Sequence, residues 1–69
     1  MHERLEKLIE EMVSKGIPYE DAQREFERRF IMQALSRANG NLTQAADLMG
    51  MHRNTLSRKV TEYRLKRRS

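Results

Sequence analysis

The side chains with the most binding chemistry in this sequence lie close together, in the stretch HRNTLSRK at residues 52–59. Arg53 carries a planar guanidinium whose forked N–H donors match paired acceptor atoms. Arg58 and Lys59 follow five and six residues later and can each neutralise an anionic group. These residue types predict that the stretch binds a negatively charged partner.

Catalytic and metal-binding sets are missing from the sequence. His2 and His52 are the two histidines, they lie far apart, and there is no cysteine, so neither a zinc spacing nor a disulfide is available. No GxxxxGK[ST] loop occurs that could cradle a nucleotide phosphate. We therefore expect neither an enzyme nor a protein that needs a cofactor or metal.

Charge is distributed unevenly along the 69 residues. Residues 1–36 hold eight acidic and six basic side chains, whereas residues 37–69 hold two acidic and eight basic ones. A cationic C-terminal half favours a polyanionic partner such as a nucleic acid. Two alternatives are that the lysines and arginines only solubilise the surface, or that a helical interaction module presents them to an acidic protein.

The elements that must position these cations are two short helices. Asn41 with Gln44 three residues later is a capping-box pattern, which predicts a helix that runs to about Met49. Gly40 can take the positive φ that ends a preceding helix, and Gly50 can do the same for this one.

A second helix is predicted to begin near Arg53. Its inward stripe is Leu56, Val60 and Tyr63, and the opposite side carries Asn54, Arg58 and Thr61. A short helix, a glycine turn and a second amphipathic helix form a helix-turn-helix, in which the second helix is the recognition helix.

Residues 40–65 resemble the C-terminal helix-turn-helix of the factor for inversion stimulation (Fis) and of the nitrogen regulatory protein C class of bacterial activators. The matching residues are Gly40, Asn41, Thr43, Ala45, Ala46, Gly50, Arg53, Thr55, Leu56, Arg58, Lys59 and Tyr63. A looser resemblance continues upstream from Phe26 to Leu35. Two departures are Arg64, where the family often has glycine, and Ser57, where Fis carries arginine.

Base recognition is expected from the start of the recognition helix. An arginine there can make a two-pronged contact to O6 and N7 of guanine in the major groove of duplex DNA, so Arg53 is the first candidate for reading sequence. Asn54 and His52 flank it, and His52 either touches a base edge or simply begins the helix. Ser57 is short and is expected to read little.

Phosphate contacts are expected around these base contacts. Arg58 and Lys59 can hold phosphates through their charge, and Thr55 can do so through its hydroxyl. Asn41 and Thr43 lie where the positive end of the preceding helix would face the backbone of the DNA, although both also suit helix capping. The resemblance to Fis implies a bent duplex, whereas resemblance to the activators implies paired sites.

The N-terminal half predicts a helical hairpin. Leu5, Leu8, Ile9, Met12 and Val13 form the apolar stripe of a helix over residues 3–15. Gly16 ends it, and a second helix follows over about 19–38, with an apolar face too wide for one neighbour. We expect a homodimer, and the alternative is a monomeric four-helix bundle in which the same residues form one core.

Together these patterns predict a single all-α domain. It divides into dimerisation helices at 1–39, the helix-turn-helix at 40–65 and a basic tail at 66–69. No apolar run is long enough to span a membrane, and the charged N-terminus does not suit a signal peptide, so a cytoplasmic, nucleoid-associated protein is expected. The chain could stand alone or be the last domain of a longer activator.

Overall fold

Four helices account for most of the residues in the computed structural model, which describes residues 2–65. They are α1 (His2–Ser14), α2 (Tyr19–Arg37), α3 (Leu42–Met49) and α4 (Arg53–Glu62). No strand occurs within that range, so the predicted all-α fold is confirmed. The predicted basic tail, with Lys66, Arg67 and Arg68, lies outside the described residues.

The hydrophobic core lies between the second half of α2 and the two short helices. α2 packs on α3, and α3 packs on α4. Ile31 and Leu56 are the largest side chains that are fully buried. The rest of the core consists of Ala34, Leu35, Ala38, Leu42, Ala45, Ala46 and Val60. The end of α2 therefore packs against the helix-turn-helix.

Glycine ends α1 and α3 as the sequence predicts. Gly16 and Gly50 have φ values of 72° and 69°, the left-handed conformation that glycine adopts without a steric cost. The hydrogen bonds after α1 are those of a Schellman motif, because Gly16 N–H donates to Val13 O at 3.0 Å and Ile17 N–H donates to Met12 O at 3.1 Å. Each helix thus stops where its sequence supplies a glycine.

The end of α2 differs from the prediction by one residue. Asn39, with φ at 53°, is the first left-handed residue after the helix, and Gly40, with φ at 81°, follows it. Gly40 N–H donates to Leu35 O at 2.8 Å, which closes the Schellman motif around Asn39. Asparagine tolerates this conformation better than most side chains do, so it can act as the helix stop.

The end of α4 uses an unusual residue for the same motif. Arg64 has φ at 55°, its N–H donates to Thr61 O at 3.1 Å, and Leu65 N–H donates to Val60 O at 3.0 Å. A residue with a Cβ is disfavoured in this conformation. The position where the resembling family often has glycine is therefore one where the backbone favours glycine.

The apolar stripe of α1 stays exposed in the single chain. No residue of α1 is buried, and Leu8, Ile9 and Val13 are 52%, 49% and 72% exposed. Phe26 and Phe30 on α2 are also exposed, with ring centroids 5.7 Å apart. In the single chain these residues therefore lie outside the core that α2 forms with α3 and α4.

Candidate nucleic-acid interface

The turn between α3 and α4 holds the two helices in close contact. Ala45 and Ala46 are buried, and their small side chains allow the neighbouring helices to approach closely. Gly50 ends α3, and only three residues, 50–52, separate the two helices. This short connection places the start of α4 directly beside the end of α3.

The outward side of α4 follows from its anchoring residues. Leu56 and Val60 are buried, which turns the opposite side of the helix to solvent. Asn54 and Arg58 are exposed on that side, and Arg53, the first residue of the helix, is exposed as well. Within residues 2–65, the guanidinium groups of both arginines make no hydrogen bond or ion pair to the protein. Their charge is therefore available to a partner.

Asn41 caps the N-terminus of α3 as predicted. Its Oδ1 accepts a hydrogen bond from Gln44 N–H at 3.0 Å. The reciprocal half of the expected capping box is not formed, because Asn41 N–H donates to Ala38 O instead, at 3.0 Å. The turn over residues 38–41, which follows the Schellman motif, therefore uses the N–H group that Gln44 would have capped. Thr43, in the same first turn of α3, is exposed.

His52 begins α4, which is one of the two roles considered for it. Its Nδ1 accepts a hydrogen bond from Asn54 N–H at 3.1 Å, so the imidazole acts as the N-cap. Nε2 is the remaining polar atom of an exposed side chain. A base contact from His52 would have to use that atom.

Two of the predicted contact residues are half-buried rather than exposed. Thr55 and Ser57 lie between the buried and the outward sides of α4. The carbonyl of Ser57 accepts a hydrogen bond from the Thr61 hydroxyl at 3.1 Å. The Ser57 side chain is short and partly covered. A role for Thr55 or Ser57 in binding DNA stays a prediction.

Lys59 faces α2 instead of solvent. Its Nζ lies 3.0 Å from Glu27 Oε2, and the two side chains are only 29% and 31% exposed. The Tyr63 hydroxyl donates to Glu27 Oε1 at 2.5 Å. Glu27 thus joins α2 to α4 and to the residue that follows it, a connection that sequence reasoning missed. A phosphate contact from Lys59 stays a prediction, and it would require this ion pair to open.

The contact between Glu27 and Tyr63 shifts the pKa of both side chains. The hydrogen bond from Tyr63 and then the one from Lys59 hold the pKa of Glu27 below its ordinary value of 4.5. The same bond to Glu27, with some burial, raises the pKa of Tyr63 above its ordinary value of 10.0. Arg24 lies over the Tyr63 ring, with Cζ 5.4 Å from the centroid. At neutral pH, Glu27 is therefore ionised and Tyr63 is protonated.

A short helix, a glycine turn and an outer helix with exposed arginines define a helix-turn-helix DNA-binding domain. The sequence matches the model of a family described as bacterial regulatory protein, Fis family, over residues 22–63. The chain belongs to this Fis family of DNA-binding transcription regulators, and it is a binding module rather than an enzyme. No helix among residues 2–65 is both long and apolar enough to cross a membrane.

Two relatives are full-length bacterial regulators. The chain is 43% identical over 51 residues to the DNA-binding transcriptional regulator NtrC of Azospirillum brasilense, which covers 74% of this chain. It is 36% identical over 45 residues to the nitrogen assimilation regulatory protein NtrX of Azorhizobium caulinodans, which covers 65%. Each match spans 10% of the relative's length. No solved structure matches the chain.

Proposed function

We propose that this domain binds double-stranded DNA selectively as a homodimer, with α4 of each protomer in the major groove, and acts in transcription regulation or DNA bending. The observation that carries the proposal is the placement of Arg53, Asn54 and Arg58. All three are exposed on α4: Asn54 and Arg58 lie opposite buried Leu56 and Val60, and Arg53 is the first residue of the helix. A major groove admits one helix, and its base edges present the acceptors that an arginine recognises.

The proposed contacts follow from where each side chain lies. Arg53 and Asn54, in the first turn of α4, are assigned to base edges, with His52 Nε2 beside them. Arg58 and the Thr55 hydroxyl are assigned to phosphates. Ser57 is expected to add little because it is short and half-buried.

A second phosphate contact is proposed at the start of α3. Thr43 is exposed in the first turn, and Asn41 caps that turn. The N-terminus of a helix carries partial positive charge, so a DNA phosphate is stabilised there. Lys59 is left out of the proposed contacts because its ammonium pairs with Glu27.

Dimerisation is supported by the surface that the single chain leaves uncovered. The stripe on α1 and the Phe26 and Phe30 rings on α2 are exposed, although each is large and apolar. A second copy of the chain carries the same stripe, so a two-fold pairing would cover both copies with complementary surfaces. Two copies also provide two recognition helices.

The relatives suggest a setting for the domain. NtrC and NtrX are regulators about ten times as long as the matched segment. We propose that this domain supplies the DNA-binding function of a regulator of that kind, working at cytoplasmic DNA. A dimer of such domains would bind two DNA sites that lie side by side.

A salt titration tests the proposal. The protein is titrated into a fluorescent duplex, and also into polyglutamate as an acidic polypeptide of similar charge. With about six to ten phosphates neutralised by a dimer, affinity for the duplex should fall roughly 10³- to 10⁵-fold between 50 and 200 mM salt. No binding to the duplex at low salt, or equal binding to polyglutamate, would favour an acidic protein partner instead.

A further inference from the structure

Glu27, on α2, forms hydrogen bonds with two side chains near the C-terminal end of α4. Its Oε2 accepts from Lys59 Nζ at 3.0 Å, and its Oε1 accepts from the Tyr63 hydroxyl at 2.5 Å. Lys59 and Tyr63 are four residues apart, about one turn of helix, so both side chains reach the same carboxylate. Both oxygens of Glu27 are used, and the contact fixes rotation as well as distance.

These bonds connect α2 directly to α4, whereas most of the packing between the two helices runs through α3. The principal packing contacts run from α2 to α3 and from α3 to α4. Within residues 2–65, the side-chain hydrogen bonds that reach from α2 to α4 and its C-terminal residue are those of Glu27. The partial burial of the ion pair shields it from solvent, which makes it stronger than a fully exposed pair.

We propose that Glu27 is a positioning residue for DNA recognition, which holds α4 in a fixed orientation on α2 through Lys59 and Tyr63. α2 also carries two residues of the proposed dimer surface, Phe26 directly before Glu27 and Phe30 three residues after it. The Glu27 contact therefore sets the orientation of one recognition helix relative to the other in a dimer. This inference rests on the proposed function, because orientation matters only if α4 reads DNA.

The matched control for Glu27 lies on the same helix. Glu25 makes an exposed ion pair with Arg29 at 2.7 Å, within α2. Glu25→Gln and Glu27→Gln change the net charge equally, so they should strengthen nonspecific DNA binding equally. Only Glu27→Gln removes a charge that holds α4.

The first measurement compares sequence discrimination. A duplex is selected from a random pool with the wild-type protein, and its affinity is divided by that for a scrambled duplex. Glu27→Gln should lower this ratio by about five- to tenfold relative to Glu25→Gln, the factor that corresponds to the net contribution of roughly one ordinary intramolecular hydrogen bond. Equal ratios in the two variants, with both proteins folded by circular dichroism, would overturn the proposal. A purely structural loss would instead lower both affinities by the same factor.

The second measurement decides whether Lys59 holds α4 in place or binds a DNA phosphate. Replacing a residue that neutralises one phosphate lowers the salt slope of binding by about 0.9 for each protomer, or about 1.8 for the proposed dimer. Arg58→Gln should show that decrease, whereas Lys59→Gln should leave the slope unchanged while lowering the discrimination ratio. A decrease in the slope with Lys59→Gln would overturn the positioning role.

A third measurement needs no DNA. Hydrogen exchange of the α4 backbone amides near Val60 should accelerate in Glu27→Gln and in Tyr63→Phe, but not in Glu25→Gln, while α3 amides stay protected. If the wild-type protein selects no duplex but shows this exchange pattern, the proposed function fails and the attachment of α4 stands. Unchanged α4 exchange in both variants overturns the positioning role whatever the DNA result.

Discussion

The Nδ1 atom of His52 accepts a hydrogen bond from the backbone N–H of Asn54, 3.1 Å away, and so caps α4. Asparagine is among the best N-cap residues, whereas alanine provides no acceptor. We therefore expect His52→Asn to keep the stability of the wild-type domain and His52→Ala to lose about 0.5 to 2 kcal/mol in urea unfolding.

DNA binding by the same pair of variants decides whether His52 has a second role. If the histidine only caps the helix, His52→Asn binds the selected duplex like the wild type. A folded His52→Asn protein with weakened discrimination would show that Nε2 also contacts a base. Comparable stability of the asparagine and alanine variants would contradict the capping role itself.

The contact between Glu27 and Tyr63 predicts a loss of stability at both extremes of pH. Because the pKa of Glu27 is lowered on folding, its contribution is present above the ordinary value of 4.5 and is lost as pH falls below it. Because the pKa of Tyr63 is raised on folding, its contribution is present below 10.0 and is lost as pH rises through the folded value.

Urea unfolding from pH 2 to 7 checks the acidic side of this prediction. The decline below 4.5 should be shallower in Glu27→Gln than in Glu25→Gln, since only the former lacks the titrating group that Tyr63 and Lys59 stabilise. Parallel curves for the two variants would show that other carboxylates dominate the acid transition.

Arg64 provides a test of the backbone at the end of α4. Its φ of 55° is costly for a residue with a Cβ, so Arg64→Gly should stabilise the domain by about 0.5 to 1 kcal/mol. Arg64→Ala is the control, because it removes the guanidinium and keeps the Cβ. A glycine variant no more stable than the alanine variant would contradict the argument.

Arg53→Ala should reduce discrimination between the selected and the scrambled duplex by about 1 to 3 kcal/mol, the energy of a two-pronged contact to guanine. Nonspecific affinity should change much less. Fluorescence anisotropy with both duplexes measures the difference, and Arg58→Ala is the matched loss of charge on the same helix. Equal weakening on both duplexes would mean that Arg53 contacts only phosphate.

Phe30→Asp should dissociate the proposed dimer without unfolding the helix-turn-helix. Phe30 is 49% exposed in the single chain, so its carboxylate replacement would be solvated in a monomer but desolvated in the dimer interface. Sedimentation equilibrium measures the mass, and circular dichroism measures the helix content. Gln44→Asp, in the exposed first turn of α3, is the control, and a Phe30→Asp dimer as tight as the wild type would place the interface elsewhere.

Local rules in the sequence were sufficient to predict the helices and the side of α4 that faces outward. The stops at Gly16 and Gly50, the cap at Asn41 and the inward stripe of Leu56 and Val60 each depend on residues within one or two turns. Such patterns are visible in the chain because their partners are neighbours in sequence.

The tertiary structure decided what no short pattern encodes. Lys59 and Tyr63 find Glu27 across 32 and 36 residues, and their pairing depends on how α4 packs on α3 and α2. A lysine on a recognition helix looks the same in sequence whether it faces a phosphate or a carboxylate. The packing of the core sets that direction, and it also leaves the stripe of α1 exposed.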